Sequence, residues 1–186
     1  FTTIAGFFTA KFKMHPFIST MANMLVIFGL VTYSTKGVSF GAIDSTIPNM
    51  IIPRINGFPT IILWAIAAVI VVWFIWNKTT FGKNMFAVGG NSEAAEVSGV
   101  SVTKTIMGVF LYAGLMYGIA SFLEGARIQS VGTATGINYE LDAIAGCVIG
   151  GVSFVGGIGK IRGVMVGVLM LRLIFIGLSM MKGDPN

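Results

Sequence analysis

The sequence predicts an all-α fold, a polytopic bundle of transmembrane helices, and three observations carry that prediction. Hydrophobic residues fill 55% of the 186 positions and charged residues only 10%, whereas a soluble domain is about 25% charged. The mean hydropathy is +0.87. The charges stand at the ends of long apolar runs, where lysine and arginine set orientation in a bilayer rather than build a nucleic-acid surface. Glycines recur four residues apart within those runs, a spacing that lets helix backbones approach one another in lipid. Cys147 is the single cysteine, so a disulfide scaffold is excluded.

Taken in order, the chain opens at Phe1 in the apolar run FTTIAGFFTA, with neither an initiating methionine nor the basic start of a signal peptide. This stretch reads as the tail of a helix whose beginning is missing, and the whole as a fragment of a larger protein. A crossing needs ~20 apolar residues, and charged residues bound five candidates: 14–35, 55–77, 105–123, 143–159 and 163–181. In the first, His15-Pro16 predicts a helix that starts after the imidazole. The fourth is rich in glycine and gives only about 25 Å of helix, so a short or re-entrant span is expected. The fifth contains Arg172 at mid-span, where a charge costs at least ~2.5 kcal/mol. Arg172 therefore either faces the bundle interior or marks a misdrawn span.

Alternating spans place Lys11, Lys13, Lys78, Lys83, Lys104, Lys160 and Arg162 on one side, and Lys36, Arg54, Arg127 and Lys182 on the other. Positive residues favour the cytoplasm, so segment 78–104 is expected there, with 36–54 and 124–142 facing outward. Trp73 and Trp76 near the cytoplasmic end of the second span, which also holds Trp64, suit an aromatic belt. Gly159, Gly163 and Gly167 form GxxxGxxxG, and Gly114/Gly118 and Gly146/Gly150 form GxxxG. These predict close helix contacts; a hinge at Gly156-Gly157-Ile158-Gly159 is the alternative reading of that stretch.

No catalytic motif emerges. One histidine and one cysteine, far apart, make no His/Cys metal cluster. GVSFVG at 151–156 has one residue too many for a nucleophile elbow. GGIGKIRG at 156–163 has Ile161 where a phosphate loop needs Ser or Thr. Asn77-Lys78-Thr79 matches a glycosylation sequon by chance. Neither an enzyme nor a bound cofactor is expected.

The polar segment 78–104 contains FGKNMFAVGGNSEAAEVSGVSVTK. Asn91 or Ser92 can cap a short helix, Glu93 suits its first turn, Glu93-Ala94-Ala95-Glu96 has high helix propensity, and Gly99 can end it. One or two helical turns with small alanines on one side read either as a capped connector or as a docking element for a cytoplasmic partner.

GGNSEAAEVSGVSV at 89–102 resembles the EAA-type cytoplasmic loop of permease subunits of ABC importers. HPFISTMANM at 15–24, NKTTFGKNMFAVGGN at 77–91 and YELDAIAGCVIGGVSFVGGIG at 139–159 are similar to the branch that takes up ribose, galactose and xylose. Within it, IPRINGFPTIILWA at 52–65 looks most like the galactose and methyl-galactoside permeases. The resemblance implies a subunit of roughly twice this length, without a nucleotide site of its own. It also implies two permease subunits (a homodimer) around a sugar pathway, a cytoplasmic ATP-binding subunit and a periplasmic sugar-binding protein. Coupling to the ATPase would fall on Glu93, Ala94, Ala95 and Gly99. The sequence departs from the general motif in lacking Leu-Pro after Ile106, and from the branch in carrying Arg172. Asn23, Tyr117 and Arg172 are candidates for the sugar pathway, since a polar group within a span either bonds another helix or meets a hydroxylated substrate. Glu124, Glu140 and Asp142 form a solvated rim or touch the binding protein. The rival reading is a secondary transporter or channel that uses intramembrane charge and needs no ATPase.

Overall fold

The structure, a computed structural model, describes residues 1–38, 51–55, 58–132 and 135–182. Residues 39–50 of the expected outward loop, and 133–134 of the next one, lie outside the described residues. Among the described residues, eight helices and one short strand pair follow in order: α1 Thr2–Phe12, α2 Pro16–Thr35, β1 Arg54–Ile55, β2 Phe58–Pro59, α3 Ile61–Lys78, α4 Thr80–Gly90, α5 Ser92–Val97, α6 Val102–Ile128, α7 Tyr139–Ile149 and α8 Ile161–Lys182. Of these, α2, α3, α6 and α8 are long and apolar enough to cross a membrane.

Local chemistry sets the boundaries. Pro16 opens α2, where its fixed φ suits a helix and its missing N–H costs nothing. The second apolar helix starts at Ile61 rather than near residue 55, because Arg54 and Ile55 pair antiparallel with Pro59 and Phe58. The third extends from Val102 to Ile128, about 40 Å at ~1.5 Å per residue, and so outruns the expected 105–123. Its last turn carries a forked ion pair in which the Arg127 guanidinium donates to both Glu124 oxygens at 2.6 and 2.8 Å.

Segment 143–159 is not one continuous helix. Helix α7 stops at Ile149, and a compact loop takes over because Gly151, Gly156 and Gly157 all hold positive φ, a backbone region open mainly to glycine. Ser153 closes that loop by donating its N–H to the Ile158 carbonyl at 3.0 Å.

The chain divides into two compact units, Phe1–Val71 with Ser101–Thr135, and Val72–Val100 with Gly136–Asn186. In the first, α1 packs on α2 and α6 through small groups. A Cβ on Gly6 would stand 2.7 Å from Cβ of Phe110, and one on Gly114 would collide with the Thr2 side chain. The Ser19 hydroxyl donates to the Ala5 carbonyl at 3.0 Å, and the Thr9 hydroxyl to the same oxygen at 2.9 Å. Ala5 is only 2% exposed, whereas Leu25 is 62% exposed. Small and hydroxylated residues inside with large apolar ones outside is the packing logic of a lipid-facing bundle, where close van der Waals contact replaces the hydrophobic drive.

In the second unit, α7 and α8 run antiparallel. Asp142, Gly146 and Gly150, four apart on α7, meet Arg172, Val168 and Val164, four apart on α8. A Cβ on Gly150 would lie 2.6 Å from the Gly163 carbonyl oxygen, and one on Gly167 would reach Gly150 N at 2.5 Å. The backbones therefore touch directly along this seam.

Candidate functional site

The site begins at the corner between α3 and α4. The Thr79 hydroxyl donates to the Ile75 carbonyl at 2.6 Å and accepts from the Gly82 N–H at 3.1 Å, so one side chain caps two helices. Gly82 lies against the Ile75 and Trp76 carbonyls, leaving no room for a Cβ. Trp76 meets Phe86 edge-on at 5.8 Å, which ties α4 back to the end of α3. Helix α4 was not anticipated from the sequence.

Helix α5 follows at once. Asn91 is extended, with φ −156° and ψ 105°, and its side-chain oxygen accepts the Ala94 N–H at 3.0 Å. Glu93 occupies the first turn, where a carboxylate is favoured by the helix dipole. At the other end Gly99, with φ 83°, donates to the Glu96 carbonyl at 2.9 Å, and Val100 donates to the Ala95 carbonyl at 3.0 Å. These two bonds make a Schellman cap, which requires the left-handed residue that glycine supplies. Two caps therefore hold a helix too short to persist alone.

Ala94 and Ala95 do not share one surface. Ala95 is 5% exposed and is part of the packing of the chain itself, whereas Ala94 is exposed and Val97 is 91% exposed. The sequence places both alanines on one side, but Ala95 is buried within the chain, and the exposed residues of α5 include Glu93, Ala94 and Val97. A capped helix with one small residue and one apolar residue outward is a shape that seats in a groove.

The remaining candidates lie on three different helices. Asn23 is half-buried on α2 and Tyr117 is 66% exposed on α6, two helices that each pack on α1. Arg172 lies on α8 in the other unit. Helix α8 continues unbroken through it, and its guanidinium stands 3.7 Å from the Asp142 carboxylate. The span is thus continuous at Arg172, and the charge is paired across the α7–α8 seam. Asp142, expected on a solvated rim, is its partner. Gly163 and Gly167 lie on that seam against Gly150 and Gly146; Gly159 precedes the helix, and a Cβ there would meet the Val152 side chain at 3.4 Å. Among the described residues no group of His, Cys, Asp and Glu could hold a metal ion.

Sequence reasoning missed Gly89. A Cβ there would stand 2.7 Å from Gly157 N, while Gly156 and Gly157 in turn crowd the backbones of Gly89 and Gly90. The signal was two Gly-Gly pairs, but nothing in their spacing along the chain says that they meet.

A family described as branched-chain amino acid transport system / permease component matches residues 1–186. The galactose/methyl galactoside import permease protein MglC of Treponema pallidum is 48% identical over all of this chain and 36% of its own length. MglC of Haemophilus influenzae is 41% identical over 98% of this chain and 56% of its own. The L-arabinose transport system permease protein AraH of Escherichia coli is 37% identical over the same shares. The chain thus spans between about a third and just over half the length of these curated relatives. No solved structure matches it. The apolar helices and these relatives make it a multi-pass protein of the bacterial inner membrane. By a match that runs its full length, the chain belongs to the family of permease components of transport systems described for branched-chain amino acids.

Proposed function

We propose that this chain is part of the membrane-spanning subunit of an ATP-driven monosaccharide importer, with galactose or a methyl galactoside as the sugar. In this reading two such subunits, as a homodimer, form the pathway. A periplasmic binding protein delivers the sugar, and a cytoplasmic ATP-binding subunit docks on α5. The observation that carries the reading is the doubly capped α5 with its exposed Ala94 and Val97, in a chain whose similar relatives are named as sugar import permeases. The contact of Gly89 with Gly157 supports a common cytoplasmic face for 78–100 and 150–162, since these segments together carry Lys78, Lys83, Lys160 and Arg162. Asn23, Tyr117 and Arg172 remain the proposed sugar-path residues.

The family description names amino acids while the relatives are named for sugars, so the substrate needs a direct test. Uptake by the full-length protein in a permease-deficient strain should be measured with labelled galactose, ribose, arabinose and leucine. Galactose uptake that needs ATP supports the reading; leucine uptake without galactose uptake refutes it. The Arg172–Asp142 pair at mid-span favours a second reading, a carrier driven by an ion gradient. That reading predicts galactose uptake that survives removal of ATP and collapses with the gradient.

A further inference from the structure

We infer that Gly89 and the Gly156-Gly157 pair form a backbone-to-backbone joint that passes movement of α5 to the α7–α8 hairpin. The inference rests on the docking role proposed for α5.

Gly89 and Gly90 end α4, and the next residue, Asn91, caps α5. On its N-terminal side, a displacement of α5 therefore enters the chain through these two glycines. Opposite them lies the loop between α7 and α8. A Cβ on Gly156 would stand 2.6 Å from the Gly89 carbonyl oxygen, and one on Gly157 2.6 Å from the Gly90 Cα. No side chain separates the two strands of backbone. A contact between side chains yields by rotamer changes, whereas two touching backbones can only move together or part. The loop itself resists deformation. Ser153 N–H bonds the Ile158 carbonyl at 3.0 Å, Gly156 N–H bonds the Ser153 carbonyl at 3.3 Å, and the Ser153 hydroxyl accepts from Val155 N–H at 3.2 Å. Beyond the loop, Gly150 meets Gly163 and Gly146 meets Gly167, again backbone on backbone. The stretch that the sequence offered as a hinge is thus a rigid link. From α5 to the α7–α8 seam, every contact in this series is one that cannot be absorbed locally.

The test uses the full-length permease assembled with its ATP-binding subunit, and liposomes supplied with binding protein, galactose and ATP. Two adjacent variants discriminate. Gly89→Ala drives a methyl group into Gly157, whereas Gly90→Ala points one into open space. Gly90→Ala should behave as wild type. Gly89→Ala should retain the ATP-binding subunit and hydrolyse ATP, yet galactose moved per ATP should fall about tenfold, within the usual range of coupling between sites. Equal galactose per ATP in both variants overturns the joint. So does loss of the ATP-binding subunit from Gly89→Ala, because the contact would then hold α5 in place without transmitting anything. Should Gly89→Ala fail to accumulate, hydrogen exchange in the unmodified complex decides: segments 85–91 and 153–158 change protection together on adding ATP if they are joined, and independently if they are not. Ala94→Trp in the same assay separates the two levels. If it keeps both the ATP-binding subunit and transport, the docking role falls and the joint falls with it. If it abolishes both while Gly89→Ala matches Gly90→Ala, the joint alone falls.

Discussion

Replacing Gly167 by alanine opposes two effects of known size. Within a helix, alanine is better than glycine by roughly 0.5–1 kcal/mol, because glycine loses more backbone freedom on folding. Against this, the new methyl at Gly167 would overlap the Gly146 carbonyl oxygen and stand 2.9 Å from the Gly150 Cα. Carbon atoms rest at about 3.5–4.0 Å, so α7 and α8 would have to part by about 0.6–1 Å along a seam where backbone touches backbone. Overpacking of this kind costs typically 1–3 kcal/mol, which exceeds the gain in propensity. Gly177 sits ten positions further along the same helix with nothing within 4 Å of its Cβ, so Gly177→Ala keeps the gain and escapes the cost. Thermal unfolding of the full-length protein in one detergent should show Gly167→Ala lowered by a few degrees and Gly177→Ala equal to or above wild type. Equal midpoints for the two variants would refute the close α7–α8 seam.

Removing either cap should loosen α5: Asn91→Ala and Gly99→Ala should each cost about 1 kcal/mol, read as faster proteolysis within 91–100 and weaker recovery of the ATP-binding subunit. Asp142→Asn should destabilise the protein more than the paired change Asp142→Asn with Arg172→Leu, because the single change strands a cation within the span while the double removes it; thermal midpoints of both variants check this. In a Cys147→Ala background, Ser92→Cys should resist membrane-impermeant thiol reagents applied from the periplasm, and labelling from that side would reverse the topology.

Hydrophobicity made the long helices legible, because a span is specified by apolar length and the charges that end it. The caps of α5 were legible too: Asn91 and Gly99 are local chemistry, decided within a few residues. Helix α4 was hidden because Gly82 and Gly89-Gly90 imitate a loop, and its start depends on how Thr79 bonds both Ile75 and Gly82. The pairing of residues 54–55 with 58–59 was overlooked beside a strong apolar run. What could not be read were meetings between distant residues. Arg172 was ambiguous alone, and only the antiparallel register of α7 and α8 brings Asp142 to it. The direction of Ala95 was likewise open, since two adjacent helical residues point about 100° apart and only tertiary packing decides which is buried.

The central claim is that ATP hydrolysis by a partner docked on α5 drives sugar through this subunit. Galactose uptake into liposomes holding the full-length permease and its ATP-binding subunit, supplied with the binding protein, tests it most directly, with wild-type and Ala94→Trp proteins compared with and without ATP. The account predicts uptake by the wild type only when ATP is present, and none by Ala94→Trp, whose indole would occupy the docking face while the membrane helices stay intact. Equal uptake by both proteins, or uptake by the wild type without ATP, would contradict it.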